Sequence, residues 1–389
     1  MVSGSFPYKV RARLASDPSV VVEQGGVIEL EMATHGVLPV GATFVKGVNL
    51  FDGHLVVSST DASIGGRIPL EIARTYGSGG LLSDESALGV GWSFNYGSTL
   101  IATECFVTVL GGDGTGQRFV RSGDRFVAQK GYHGELRLNP DGSYDFFTKG
   151  RMRYHFVDTA PTEGAAVFRG VNPTLGFIEE PNGNKLRMVY DGMTRLSKVQ
   201  EEDASGKALR SFELHYSSEP IGRKHRIESV TGPMGLVVSY GYDDIGNLVR
   251  ATRGDRTERY EYSTDELDRH NLTASIDPNG NRTEYLYYDV DSDFPGEEPG
   301  APVGAKWEYV KEVREPEGVT TAFEYDFSEI SGFRWIRRVR DGRGFETKYV
   351  LNGNGSPLEI EEPGQILTTM VWASNDVHKL QETDAKRRT

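Results

Sequence analysis

In the second half of the chain, apolar and aromatic side chains recur at every second position in short runs. Leu186, Met188 and Tyr190 form one such run, Val238, Tyr240 and Tyr242 another, and Phe323 with Tyr325 a third. A period of two predicts strands with one buried face. Turn residues stand before each run: proline pre-sets φ, and glycine or asparagine takes the positive φ of a tight reversal. After the runs, Asp191-Gly192 and Ile245-Gly246-Asn247 supply a second turn, followed by further short strands, Arg195 to Val199 and Leu248 to Thr252. The predicted unit is a β-hairpin.

The hairpins repeat. Proline, glycine two residues later and tyrosine seven after that occur as Pro181-Gly183-Tyr190, Pro233-Gly235-Tyr242, Pro278-Gly280-Tyr287 and Pro316-Gly318-Tyr325. Aspartate follows the tyrosine, or its neighbour, at Asp191, Asp243, Tyr288-Asp289 and Asp326. Weaker copies at Tyr216, Tyr262, Tyr349 and Trp372 give a unit of 20 to 26 residues running from about residue 176 onward. A lone hairpin is marginal in water, so each must lie against its neighbours. Tyrosine suits that contact, because its ring packs while its hydroxyl reaches a turn backbone or water. These tyrosines are therefore read as wall-building core.

Upstream, residues 100 to 157 read as further hairpins, punctuated by Gly111-Gly112-Asp113-Gly114, Ser122-Gly123-Asp124, Asn139-Pro140-Asp141-Gly142 and Lys149-Gly150. Residues 1 to 45 lack the repeat and alternate only weakly, which leaves a linker, a small β-element or a plug open. An acidic, proline-containing insertion, Asp291 to Val303, lengthens one unit and is expected to be a surface loop.

Composition agrees with the pattern. Of 389 residues, 47 are glycine, and tyrosine and phenylalanine number 18 each, which favours short strands and tight turns. A net charge of −13 argues against nucleic acid as the main partner. The basic run Arg334-Arg337-Arg338-Arg340 reads as a solvated strand face, with acids on both sides. Cys105 is the single cysteine, so no intrachain disulfide can form. The first residues have no apolar signal core, and no apolar run approaches membrane-spanning length.

Turn, strand, Tyr-Asp, Gly-Asn-Leu and strand, best seen in Tyr242-Asp243-Asp244-Ile245-Gly246-Asn247-Leu248, resemble the YD, or Rhs, repeat. Residues 48 to 97, with Arg74-Thr75-Tyr76 and Gly89-x-Gly91-Trp92, look like the domain that opens many Rhs proteins. The resemblance implies an all-β fold, a spirally wound array of hairpins forming part of a hollow shell. It divides the chain into residues 1–45, a linker or plug; 46–157, the opening β-domain; and 158–389, the repeats, cut off within a unit. It further implies partners: the remainder of the shell with its C-terminal toxin domain, and a secretion-spike protein or chaperone. Synthesis in a bacterial cytoplasm without a signal peptide, followed by type VI or similar secretion, is the expected route.

Catalytic patterns are not legible. The eight histidines form no HExxH, His-x-His or Cys-His set, so neither a metal nor any other cofactor is expected. Asp289-x-Asp291-x-Asp293 starts like a calcium loop, but an EF-hand would need glycine and glutamate where Phe294 and Gly300 stand. Carboxylate doublets such as Glu201-Glu202 should point to opposite strand faces and cannot by themselves form a hydrolase pair. Asp277-Pro278 belongs to a repeat turn rather than to a processing site. The expectation is a non-enzymatic shell segment; the competing reading is a module whose exposed aromatics bind a glycan or a cell-surface partner.

Overall fold

A computed structural model describes residues 4–14, 17–30, 43–79, 86–103, 105–128, 132–157, 173–266, 268–288, 309–326, 335–353, 355–373 and 378–384. Two units are present, Met1–His35 and Gly36–Thr389. In the first, strand Gly4–Leu14 pairs antiparallel with Asp17–Leu30, so this stretch includes a β-hairpin.

The second unit opens with a short pair, Phe44–Val45 and Val48–Asn49, and a three-stranded antiparallel sheet of Val56–Ile64, Leu70–Gly77 and Trp92–Phe94. From Thr99–Ala102 to Lys379–Thr383 the chain then forms one antiparallel sheet of 24 strands. Its first strand also touches Thr174–Glu179 through Thr99 and Thr174, with the Leu100 amide donating to the Pro173 carbonyl at 3.0 Å. That contact is a single residue pair, and the sheet runs on beyond it rather than closing. The fold is all-β, as the period-two pattern predicts.

Burial follows the predicted parity. Leu186, Met188, Val238, Tyr240, Phe323 and Tyr325 all face the core, and one contiguous apolar cluster runs from Val48 to Leu351.

The repeat tyrosines form a ladder whose register comes from bulges. One extra residue on the partner strand faces the end of the tyrosine strand, so that Tyr190 pairs with Leu196, Tyr216 with Ile227, Tyr242 with Leu248, Tyr262 with Leu272 and Tyr287 with Val310. Each next tyrosine donates its hydroxyl to the carbonyl of that same partner. Tyr216 bonds Leu196 at 2.9 Å, Tyr242 bonds Ile227 at 2.7 Å and Tyr262 bonds Leu248 at 2.8 Å. Tyr287 bonds Leu272 at 2.9 Å, and Tyr325 bonds Val310 at 2.8 Å. The hydroxyl thus ties one unit to the bulge of the unit before it. A bulge disrupts the ladder locally and increases right-handed twist, and the phenol satisfies a carbonyl at that disruption.

The ladder extends at both ends. Tyr190 donates to Leu175 at 2.7 Å, and the Trp372 indole N–H reaches the Pro357 carbonyl at 2.7 Å, so tryptophan replaces the phenol with another donor.

The aspartates after the tyrosines are turn devices. Asp243 Oδ1 accepts the amides of Ile245 and Asn247, and Asp191 those of Met193 and Arg195; Asp277, which follows Ile276 in a proline turn, does the same for Asn279 and Asn281. An acceptor aimed at its own turn backbone two and four residues on fixes the reversal. Asp326 departs from this role: its carboxylate faces Arg338 at 3.3 Å, and its carbonyl accepts from Arg337. Asp289, like the acidic insertion and the calcium-like start at Asp291 and Asp293, lies outside the described residues.

Glycine takes positive φ in all four proline turns, at Gly183, Gly235, Gly280 and Gly318. Two turns also place a bulky residue there, Met234 at φ 60° and Glu317 at φ 68°. Met234-Gly235 is a pair of successive left-handed residues closed by the Leu236 amide on the Pro233 carbonyl at 3.3 Å. This is the reversal that suits strand twist in a two-residue hairpin loop; Gly235 takes the positive φ expected of glycine, and Met234 takes it as well.

Candidate functional site

Alternation along Leu70–Gly77 places Leu70, Ile72, Arg74 and Tyr76 on one buried face. Arg74 is therefore a cation on an apolar parity, and it is 1% exposed. Its Nε lies 2.9 Å from Asp61 and its Nη2 2.6 Å from Glu258, while Nη1 donates to the Tyr260 hydroxyl at 2.7 Å. Tyr240 donates to Asp61 at 2.7 Å, and Tyr260 to Glu258 at 2.6 Å. The guanidinium also stacks against Trp92 and Tyr260, 4.8 and 5.1 Å from the ring centroids.

Burial alone would lower the pKa of Arg74, but Tyr260, Asp61 and Glu258 hold it above the ordinary arginine range. Burial likewise works against the Glu258 carboxylate, yet its bonds from Tyr260, Arg74 and Ser59 keep it below the usual range. A buried charge is tolerated when it is paired and fully hydrogen-bonded. The cluster is satisfied in that way.

Neighbouring contacts extend the cluster into a seam between the three-stranded sheet and the repeats. Tyr76 donates to the His270 carbonyl and accepts from the Leu272 amide, both at 2.9 Å. The Trp92 indole donates to the hydroxyl of Tyr262 at 2.8 Å, and Tyr262 is itself a ladder residue. Main chain joins main chain at Val90 to Gly246, Ile227 to Ala87 and Val310 to Gly53, at 2.9 to 3.1 Å. Two further buried arginines clasp carbonyls of the opening segment: Arg226 reaches Ser86, and Arg337 reaches Leu50 at 2.7 Å and Phe51 at 2.9 Å.

Arg337 corrects the sequence reading. It shares parity with Trp335 and Val339 and is 1% exposed, whereas Arg338 and Arg340 pair with acids on the wetter face. Glu201 and Glu202 keep the alternation expected of adjacent strand residues: both are buried, but Glu201 lies across from Leu186 and pairs with Arg210, whereas Glu202 lies across from Lys185 and pairs with Arg187.

Sequence reasoning singled out Arg74, Tyr76 and Trp92 only as landmarks and missed Asp61, Glu258 and Arg226. A charged residue on the apolar parity of an otherwise alternating strand was the available signal for Arg74. Asp61 and Glu258 carry no local signal, because their partner lies 13 and 184 residues away.

Chemically, this seam holds elements together. Asp61 and Glu258 share one guanidinium, so neither is presented to a substrate. A half-open cavity of about 490 Å³, whose lining includes none of the cluster's residues, is bounded by Glu71, Tyr96, Asp113, Gln117, Phe146 and Tyr154 among others. Its polar groups secure nearby backbone: Tyr96 accepts from the Glu71 amide at 3.1 Å, and Asp113 accepts from the Thr115 amide at 3.0 Å. The proline, glycine, tyrosine and aspartate set of the repeat is distributed along the sheet rather than gathered at one point.

Comparison with known proteins adds relatives. Residues 46–119 match a family described as a domain of unknown function, DUF6531. The tRNA nuclease WapA of Bacillus subtilis strain 168 is 25% identical over 243 residues, 61% of this chain and 10% of that protein. The tRNA(Glu)-specific nuclease WapA of Bacillus subtilis subsp. natto aligns with the same identity and coverage. The chain thus spans about a tenth of the length of these relatives. Among solved structures, the N-terminal domain of the effector SpvB from Salmonella typhimurium strain LT2 aligns at 13% identity and a TM-score of 0.32, covering 56% of this chain and 97% of that one. TcdB2-TccC3 aligns at 9% identity and a TM-score of 0.26, covering 85% of this chain and 22% of that one.

Proposed function

We propose that this chain is a non-catalytic wall segment of an Rhs-type polymorphic-toxin shell, which encloses a C-terminal toxic effector until type VI or similar secretion delivers it. The observation that carries this reading is the tyrosine ladder. It propagates one hairpin geometry through the repeat part of an unclosed sheet of 24 strands, from Tyr190 to Tyr325 and again at Trp372, and a bulge recurring in most of these units gives such a sheet the twist to curve into a wall. The docked three-stranded sheet supports the same reading, because its arginine cluster acts as a fastening. The chain matches a tenth of WapA, so the nuclease activity in that protein's name is not assigned to this segment. Shell continuation, toxin domain and spike or chaperone are the partners this proposal requires.

The test is the gene product containing this segment. The proposal expects coding sequence beyond codon 389 for further repeats and a toxin domain, and a purified product whose toxin domain resists a protease that digests the same domain expressed alone. Equal digestion of the two would overturn it. The glycan-binding reading needs an accessible aromatic platform, and among the described residues the well-exposed aromatics are Phe44 and Phe345. Saturable binding of the isolated chain on a glycan array, lost in Phe345→Ala, would favour that reading instead.

A further inference from the structure

We propose that His133 and His378 form a two-histidine site for a divalent transition-metal ion of the zinc, nickel or copper(II) class. The residues stand 245 positions apart, yet their Nε2 atoms lie 3.1 Å from each other, a hydrogen bond when one ring carries its proton on Nε2; the ion takes the place of that shared proton. Their ring centroids are 5.2 Å apart with planes inclined by 36°, so the nitrogen tips converge while the rings do not stack flat. Imidazole binds these ions through about 2.0 to 2.1 Å bonds, so two such nitrogens on one ion sit roughly 2.9 to 3.4 Å apart at cis square-planar to tetrahedral angles. The observed separation falls inside that window.

Hydrogen bonds hold the chain at or next to each histidine. Tyr132, next to His133, donates its hydroxyl to the Gly116 carbonyl at 3.1 Å. The carbonyl of His378 accepts the Ala373 amide at 2.8 Å across the base of the last hairpin. Both side chains are exposed. Among the described residues no group of three or more histidine, cysteine, aspartate or glutamate side chains is placed to hold a metal, so the proposed site rests on these two imidazoles. The bound ion cross-links the segment before strand Glu135–Leu138 to the hairpin of Ile366–Trp372 and Lys379–Thr383. Sequence spacing excluded a metal because it sees only local ligand motifs, and this pair is long-range.

The experiment is calorimetric titration of the tag-free chain with zinc chloride and, separately, nickel chloride at neutral pH. His133→Gln, His378→Gln and the distant exposed-histidine control His215→Gln are titrated in parallel. One equivalent of ion should bind the parent chain and the control alike, with affinity at least tenfold lower in each of the other variants. Zinc should also raise the parent's unfolding midpoint, since a ligand selective for the folded state stabilises it, and should leave the midpoint of His378→Gln in place. No binding by the parent chain, or an equal loss in His215→Gln, would overturn the site. Circular dichroism confirms that each variant is folded before titration.

Discussion

Strands Val237–Tyr242 and Leu248–Arg253 share two rules with Ile366–Trp372 and Lys379–Thr383: a bulge opposite the terminal aromatic, and an indole or phenol donor to a carbonyl. Their surroundings differ. Val238, Tyr240, Leu248 and Ala251 are buried under the three-stranded sheet, whereas Ile366 and Leu380 are 46% and 68% exposed. The repeat supplies geometry, and burial comes from what lies against it. Most of the apolar gain from ordering a hairpin depends on that second layer, because apolar burial contributes roughly 25 cal/mol per Å² and a bare hairpin buries little.

The largest expected effect tests that second layer. Arg74→Ala leaves Asp61 and Glu258 near the core without their cation, and removing one partner of a buried pair costs about 3 to 5 kcal/mol. Denaturant melts should show the loss as a lower midpoint. Arg343→Ala, which breaks an exposed pair with Asp341, should leave the midpoint where it was. Equal shifts would mean that docking adds nothing to the sheltered repeats.

Next in size is the ladder itself. Tyr325→Phe strands the Val310 carbonyl in a buried place and should cost about 1 to 3 kcal/mol. Trp372→Phe removes the corresponding bond from a half-buried edge, where water replaces it, and should cost less. Alkaline titration reads the same difference without mutation. Burial raises Tyr190 and Tyr288 to about 12, and pushes Tyr242, Tyr262 and Tyr325 upward as well. These groups bind protons more tightly folded than unfolded, where tyrosine titrates near about 10. Their contribution is whole below pH 10 and is lost as pH rises through about 12. Tyrosinate absorbance should therefore appear together with loss of near-ultraviolet dichroism. Ionisation of the ladder tyrosines before unfolding would contradict their burial.

Local chemistry explains what the sequence revealed. The parity of Val238, Tyr240 and Tyr242 and the Pro-x-Gly turns are properties of a few adjacent residues, so strand, turn and repeat were readable. The expected phenol-to-backbone bond was readable too, but not its acceptor, which depends on a bulge that no residue type announces. Tyr287 and Tyr288 show the limit. Spacing selected the first and the following aspartate the second, and the structure splits them: Tyr287 keeps the ladder, while Tyr288 donates to Phe323 at 2.7 Å. Long-range pairing was silent for the same reason, as with Asp61 and Glu258 around Arg74 or His133 beside His378.

The smallest expected effect separates a turn's own strain from the support around it. Gly246 has φ 91° in the turn that begins at Asp243, and the corresponding position after Asp191 is Thr194, at φ 60°. A β-branched residue in the left-handed region is strained by about 1 to 2 kcal/mol, part of which glycine returns as unfolded-chain entropy. Thr194→Gly should therefore raise stability by about 1 kcal/mol. Gly246→Ala should lower it by more than strain alone, because an added Cβ would sit 2.6 Å from Arg226 Nη2, and Arg226 clasps the opening segment. Paired denaturant melts measure both. A destabilised Thr194→Gly would show that the Thr194 hydroxyl bond to the Met193 carbonyl outweighs the backbone strain, and that turn shape in the outlying repeat is set by its side chains rather than by φ.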